Sequence, residues 1–108
     1  MTKNALLILL LAILLPLGNA GATRQKEALE RYSLPSLSYW LFSKDVCGDA
    51  AYVLDADGYA HRVIVGSYIG RNQGRISKIT EQAIELVELY PDGEGGLYEK
   101  TAQIEFAN

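Results

Sequence analysis

The chain has 108 residues, which is enough for one domain but not for two. With 10 basic residues, 13 acidic residues and a net charge of −3, it lacks the strongly basic balance of a nucleic-acid-binding protein. A single cysteine cannot close an internal disulfide bond, and one cysteine with one histidine cannot complete a zinc site.

The N-terminus is typical of a secretory signal peptide. Lys3 precedes an apolar run from Ala5 to Leu17, and small residues follow as far as Ala22. The run has 13 residues, whereas a membrane-spanning helix needs about 18 to 20. We therefore expect residues 1–20 to be removed on export to the periplasm, and an uncleaved N-terminal anchor is the alternative.

Two units are predicted after the signal. Residues 21–31 are polar and too few to bury a face, so they are assigned to a short tether, and residues 32–108 to one domain. Cys47 lies in that domain without a partner, and we interpret it as a partly buried, small apolar residue, with a reactive or intermolecular thiol as the alternative.

The domain is predicted to be all-β, because short apolar or alternating runs are separated by glycine, aspartate and proline. In Ala60–Val65 both faces carry apolar residues, which predicts cover on both sides for part of that strand. The segment Arg75–Tyr90 fits helix or strand by periodicity, but its β-branched content favours two short strands that turn near Glu81. The other predicted strands are Leu37–Phe42, Ala50–Leu54 and Thr101–Phe106.

Turn-forming residues separate these runs. An Asp-Gly pair between two β-prone runs predicts a hairpin, and three glycines at every fourth position predict tight chain reversals. If Gly70 and Gly74 hold a positive φ, replacing either by valine should destabilise the domain. The predicted turn residues are Asp57, Gly58, Gly66, Gly70, Gly74, Pro91, Asp92 and Gly93.

No catalytic set is recognisable. The single imidazole, His61, lies in the middle of a predicted strand, where a core or cross-strand contact is its expected role. The carboxylates Glu81, Glu85 and Glu88 do not converge on one point in either a strand or a helix. We therefore predict no catalytic residue, metal ion, cofactor or small-molecule substrate, and a small periplasmic enzyme remains the alternative of a different class.

A candidate contact segment runs from Tyr68 to Arg75. It places an aromatic residue and two arginines on an acidic chain, and tyrosine and arginine are enriched at binding hot spots. In the alternative, Tyr68 fills the core and the arginines are solvated. A second candidate is an exposed strand edge such as Thr101–Phe106. The predicted partner-binding residues are Tyr68, Arg71, Asn72 and Arg75.

Much of the domain resembles the periplasmic domain of the PilP family of type IV pilus assembly proteins. The motifs occur in order and with few gaps over about the last three quarters of the chain. Tyr32–Leu37 also resembles the entry to that domain. The matching stretches are Tyr52–Gly58, His61–Val63, Val65–Ile76, Ile84–Leu89 and Pro91–Gly96.

The resemblance implies a small antiparallel β-sandwich of about seven strands, similar to a homology region of the type II secretion C component. It also implies a non-catalytic role between the inner-membrane proteins PilN and PilO and the outer-membrane secretin PilQ. A protein related to the type II secretion C component, or an orphan structural domain, is the alternative.

The chain departs from the family pattern in two ways. Family members are usually lipoproteins, but no cysteine directly follows the apolar run. The long flexible segment that the family uses toward PilN and PilO corresponds here to about ten residues. The contact with PilQ is therefore the more firmly implied of the two.

Overall fold

The computed structural model describes residues 24–107. The predicted signal peptide lies outside these residues. Two short 3-10 turns, Ala28–Arg31 and Leu34–Ser36, precede the strands. The strands are β1 (Ser38–Asp45), β2 (Gly48–Leu54), β3 (Ala60–Ile64), β4 (Tyr68–Ile69), β5 (Gly74–Ile79), β6 (Ala83–Pro91) and β7 (Leu97–Glu105).

The seven strands form two antiparallel sheets that pack face to face. One sheet has the order β1-β2-β3 and the other the order β4-β5-β6-β7. The prediction of an all-β sandwich of about seven strands is confirmed. Two short strands do occupy Arg75–Tyr90, because β5 and β6 turn through Thr80 to Gln82.

The core lies between the sheets, and one side chain joins them at the end of the sandwich. Tyr39 is fully buried, and its hydroxyl donates a hydrogen bond to the carbonyl oxygen of Thr80 over 2.7 Å. Its ring meets Phe106 edge to face, with 5.0 Å between the ring centroids. The buried apolar cluster comprises Leu29, Leu37, Tyr39, Ala51, Val53, Val63, Ile69, Ile76, Ile79, Ile84, Leu86 and Ile104.

The segment assigned to a tether contributes to this core. Leu29 is buried among the residues of the cluster, and its carbonyl oxygen accepts a hydrogen bond from the Gly70 N–H over 3.0 Å. The sequence pattern missed this packing because a single leucine in a polar stretch carries no periodicity. Residues before the first strand are therefore held against the sandwich.

Three expectations about local structure need correction. Gly66 and Gly70 have positive φ as predicted, but Gly74 does not; at Gly74 a side chain is excluded by lack of space. Cys47 is exposed in the β1–β2 turn, because a two-residue turn at the tip of a hairpin buries nothing. The outer face of β3 is open rather than covered, since Arg62 and Ile64 both face solvent.

Candidate functional site

The predicted contact segment binds the chain's own N-terminal residues. The Arg24 guanidinium lies 3.4 Å above the centre of the Tyr68 ring, and the Tyr68 N–H donates to the Glu27 carboxylate over 3.2 Å. The Arg71 Nε donates to the carbonyl oxygen of Arg31 over 3.2 Å. Two of the four predicted partner-binding residues, Tyr68 and Arg71, are thus engaged within the molecule.

Residues 24–31 pack on Tyr68–Arg71, and we call this arrangement the N-terminal clasp. The buried carboxylate of Glu30 stabilises it. Arg24 donates two hydrogen bonds to Glu30, each over 2.8 Å, and the Glu27 N–H donates a third over 2.7 Å. The Arg24 hydrogen bond is the main reason that the pKa of Glu30 lies below its usual value, while burial opposes this shift. Ionisation of Glu30 therefore strengthens the clasp.

We expect the clasp to weaken in acid. Because folding lowers the pKa of Glu30, its contribution is complete above the unfolded-state value of about 4.5 and declines as the pH falls through the folded-state value. Glu30→Gln should lower the melting temperature at pH 7. The difference in melting temperature between the variant and wild type, which we call the gap, should become smaller toward pH 3.5. Thermal unfolding of both proteins across this range measures the gap; a gap that is constant with pH would contradict the argument.

The third predicted contact residue, Asn72, braces the turn from inside. The side-chain amide of Asn72 donates hydrogen bonds to Glu88 over 3.4 Å and to the Tyr90 hydroxyl over 3.3 Å. The backbone carbonyl oxygen of Asn72 accepts a hydrogen bond from the Leu89 N–H over 2.9 Å. Glu88 is buried and also accepts a hydrogen bond from Tyr90, which raises the pKa of that phenol. Asn72 thus positions the segment through hydrogen bonds within the molecule.

Arg75, the fourth predicted residue, is exposed beside a shallow groove. The groove has a volume of about 380 Å³ on the outer face of the four-stranded sheet. Val65, Val87 and Leu89 supply apolar lining, and Arg75 and Glu99 add one charge of each sign. The groove suits an apolar side chain of a partner protein. Of the four predicted contact residues, Arg75 is exposed and available, within the described part of the chain, to contact that partner.

A second apolar surface, which sequence reasoning missed, lies on the outer face of the three-stranded sheet. The pairing of β1 with β2 shifts register between Tyr39 and Leu41, so Trp40 is the extra residue of a β-bulge. Tyr39 and Phe42 both contact the core, and Trp40 and Leu41 between them both face outward. The unbroken run of four apolar residues from Tyr39 to Phe42 was the available signal, since simple alternation cannot bury all of them.

This surface, called here the Trp40 face, has the composition of a contact surface. Trp40, Leu41 and Ile64 are 51%, 45% and 45% exposed. Tyr52 and Leu54 lie between them on β2, on the same face as Leu41 and Ile64 according to the strand register. Exposed apolar patches on small domains commonly mark sites of protein contact, and tryptophan and tyrosine are enriched at their centres.

His61 has a structural contact. Its Nε2 lies 2.8 Å from the Asp55 carboxylate, whose other oxygen accepts the N–H groups of Asp57 and Tyr59. The His61 hydrogen bond is the main cause that lowers the pKa of Asp55. An ionised carboxylate only accepts, so Nε2 carries the proton and braces the β2–β3 turn.

Residues 24–107 contain no group of three or more His, Cys, Asp or Glu side chains that could hold a metal ion. They also contain no helix that is long and apolar enough to cross a membrane.

Comparison with known proteins shows a consistent set of relatives. The family model described as "Pilus assembly protein, PilP" matches residues 18–106. The type IV pilus inner membrane component PilP of Pseudomonas aeruginosa is 38% identical over 78 residues, which are 72% of this chain and 44% of that protein. The chain therefore spans less than half the length of this curated relative.

Solved structures agree with this result. A domain of the type IV pilus biogenesis lipoprotein PilP from P. aeruginosa superposes with a TM-score of 0.71 at 36% identity, covering 78% of this chain and 95% of that one. A domain of the Neisseria meningitidis PilP pilot protein gives a TM-score of 0.61 at 34% identity, covering 79% and 74%.

Proposed function

The chain belongs to the PilP family of type IV pilus assembly proteins, and we propose that it is a non-catalytic periplasmic component that links the inner-membrane PilN/PilO assembly to the secretin PilQ. The Trp40 face is the observation that carries this proposal. An apolar surface with an exposed tryptophan costs solubility in a monomer, and a protein partner would bury it.

A linking protein also needs two contact surfaces that can be occupied together. The Trp40 face and the groove beside Arg75 lie on the outer faces of different sheets. We assign the Arg75 side to PilQ, because it belongs to the predicted contact segment and the contact with PilQ is the more firmly implied of the two. By elimination, the Trp40 face is assigned to PilN/PilO.

Substitutions on the two surfaces should separate the two partners. Trp40→Ala should weaken binding to PilN/PilO by about 2 kcal/mol, which is roughly 30-fold, because a buried tryptophan is a typical hot spot. Arg75→Glu should slow association with a soluble PilQ fragment and change its salt dependence, as a charge at an interface rim does. Surface plasmon resonance with each partner, at two salt concentrations, measures both effects.

Matched controls are available for each variant. Lys78→Glu makes the same change of charge on the same strand as Arg75→Glu, and Tyr59→Ala removes an aromatic residue that is exposed in a turn. Both controls should bind like wild type. If Trp40→Ala and Arg75→Glu affect the same partner, or affect neither, the assignment of two surfaces is wrong. We avoid Arg71 in this test because its substitution would open the N-terminal clasp.

A further inference from the structure

One edge of the four-stranded sheet is open over most of its length. β7 is the last strand of that sheet and pairs with β6 over nine consecutive residue pairs without a bulge. Its far end meets another element, since Phe106 bridges to Tyr39 and the Ala107 N–H donates to the Tyr39 carbonyl oxygen. From Leu97 to Gln103 no strand within residues 24–107 pairs with the outer side of β7.

Contacts made by β6 identify which β7 groups point outward. The Leu89 N–H donates to the Asn72 carbonyl oxygen, on the side of β6 away from β7. The Glu85 carbonyl oxygen likewise accepts a hydrogen bond from Ser77 on β5. Leu89 pairs with Glu99, and Glu85 pairs with Gln103. Both are therefore non-hydrogen-bonded pairs of the β6–β7 ladder.

It follows that the free edge offers a regular set of backbone groups. Hydrogen-bonded and non-hydrogen-bonded pairs alternate in an antiparallel ladder, so the N–H and C=O groups of Glu99, Thr101 and Gln103 all point outward. Lys100 and Ala102 direct theirs toward β6. The outward spacing is that of an unpaired strand, which can template another extended segment.

The charges on this edge favour a basic occupant. Glu99 and Glu105 lie on the outer face of β7, and neither forms an ion pair with a residue of the described part of the chain. Pairing with a second copy of β7 would bring the carboxylates of both copies opposite or diagonal to each other, which is unfavourable. An added strand with lysine or arginine at these points would instead meet opposite charge.

We propose that the β7 edge from Leu97 to Gln103 accepts an added strand from a protein partner that has basic residues four positions apart. One basic side chain would lie opposite Glu99. The other, opposite Gln103, would be within diagonal reach of Glu105. This surface is separate from the Trp40 face, and the proposal does not depend on which pilus protein supplies the strand.

A synthetic peptide can test this edge directly. The probe is a ten-residue peptide of alternating threonine and valine with two lysines four positions apart, added to the ¹⁵N-labelled protein. On binding, the amides of Glu99, Thr101 and Gln103 should become protected from hydrogen exchange, while those of Lys100 and Ala102 are protected already. Protection elsewhere, or no binding at millimolar peptide, would overturn the proposal.

Variants separate strand addition from simple charge attraction. Thr101→Pro removes an N–H group that β6 does not use, so the fold should persist while peptide affinity falls at least tenfold. Thr101→Ala keeps the N–H and should bind like wild type. A peptide N-methylated along one edge should not bind. Equal affinity for Thr101→Pro and Thr101→Ala would overturn the proposal, as would a wild-type dimer in sedimentation that Thr101→Pro dissociates.

Discussion

Replacing Tyr39 by alanine is expected to lower the free energy of unfolding by about 3 to 5 kcal/mol, as is typical when a large buried aromatic side chain is removed. Tyr39 is fully buried, packs edge to face on Phe106 and donates a hydrogen bond to the carbonyl oxygen of Thr80, in the turn between β5 and β6 of the other sheet. Its loss would leave a cavity where the two sheets meet. Urea unfolding followed by far-ultraviolet circular dichroism measures the change.

Two controls define what Tyr39 contributes. Tyr39→Phe keeps the ring and removes the hydroxyl, so it isolates the hydrogen bond to Thr80 and should cost about 1 to 3 kcal/mol. Tyr59→Ala removes an exposed tyrosine in a turn and should change stability by no more than about 0.5 kcal/mol. If Tyr39→Ala were no more destabilising than Tyr59→Ala, the two sheets would not be joined through this side chain.

Replacing Gly74 by valine is expected to have the second largest effect, about 1 to 3 kcal/mol of destabilisation. A Cβ atom at this position would lie 2.5 Å from Cδ1 of Leu86 and 2.6 Å from the carbonyl oxygen of Ile69. Leu86 is buried in the core, and Ile69 is held in β4, so neither can move away freely. Thermal unfolding of the variant gives the size of the effect.

Lys78→Val is the matched control for this substitution. It places the same side chain on the same strand at an exposed position. β-branched residues fit a strand surface, so its melting temperature should stay close to that of wild type. Gly74→Ala should already be destabilising because the first carbon atom makes the clash. A Gly74→Ala variant with wild-type stability would contradict the steric argument.

Local chemistry in the sequence was enough to predict most of the fold. The Asp57-Gly58 pair indicated the β2–β3 hairpin, and Gly58 does have a positive φ of 88°. In the predicted strand Thr101–Phe106, Ala102, Ile104 and Phe106 alternate with polar residues, which predicts that these three side chains face the core, as they do in the structure. These features depend on neighbouring residues alone, because turn type and side-chain alternation follow from the backbone geometry of a few consecutive positions.

The contact segment Tyr68–Arg75 was harder to predict. Its residue types indicated that it makes contacts, but the sequence did not show which part of the molecule or which partner its side chains meet. Tyrosine and arginine at Tyr68–Arg75 indicated a binding surface, and the structure shows that Tyr68 and Arg71 bind the chain's own residues 24–31. Contacts between segments about 40 residues apart leave no periodic pattern in a sequence. The same holds for Asn72, which pairs with Glu88 inside the molecule.

Local features of the sequence predict an all-β domain of the PilP kind, since turn residues and ordered motifs depend on neighbouring positions. Which surfaces remain open depends on the tertiary structure. The bulge that turns Trp40 and Leu41 outward together, and the free groups of Glu99, Thr101 and Gln103, depend on register between strands. A shift of one residue exchanges the two faces of a strand, and register is set by the packing of the whole sandwich.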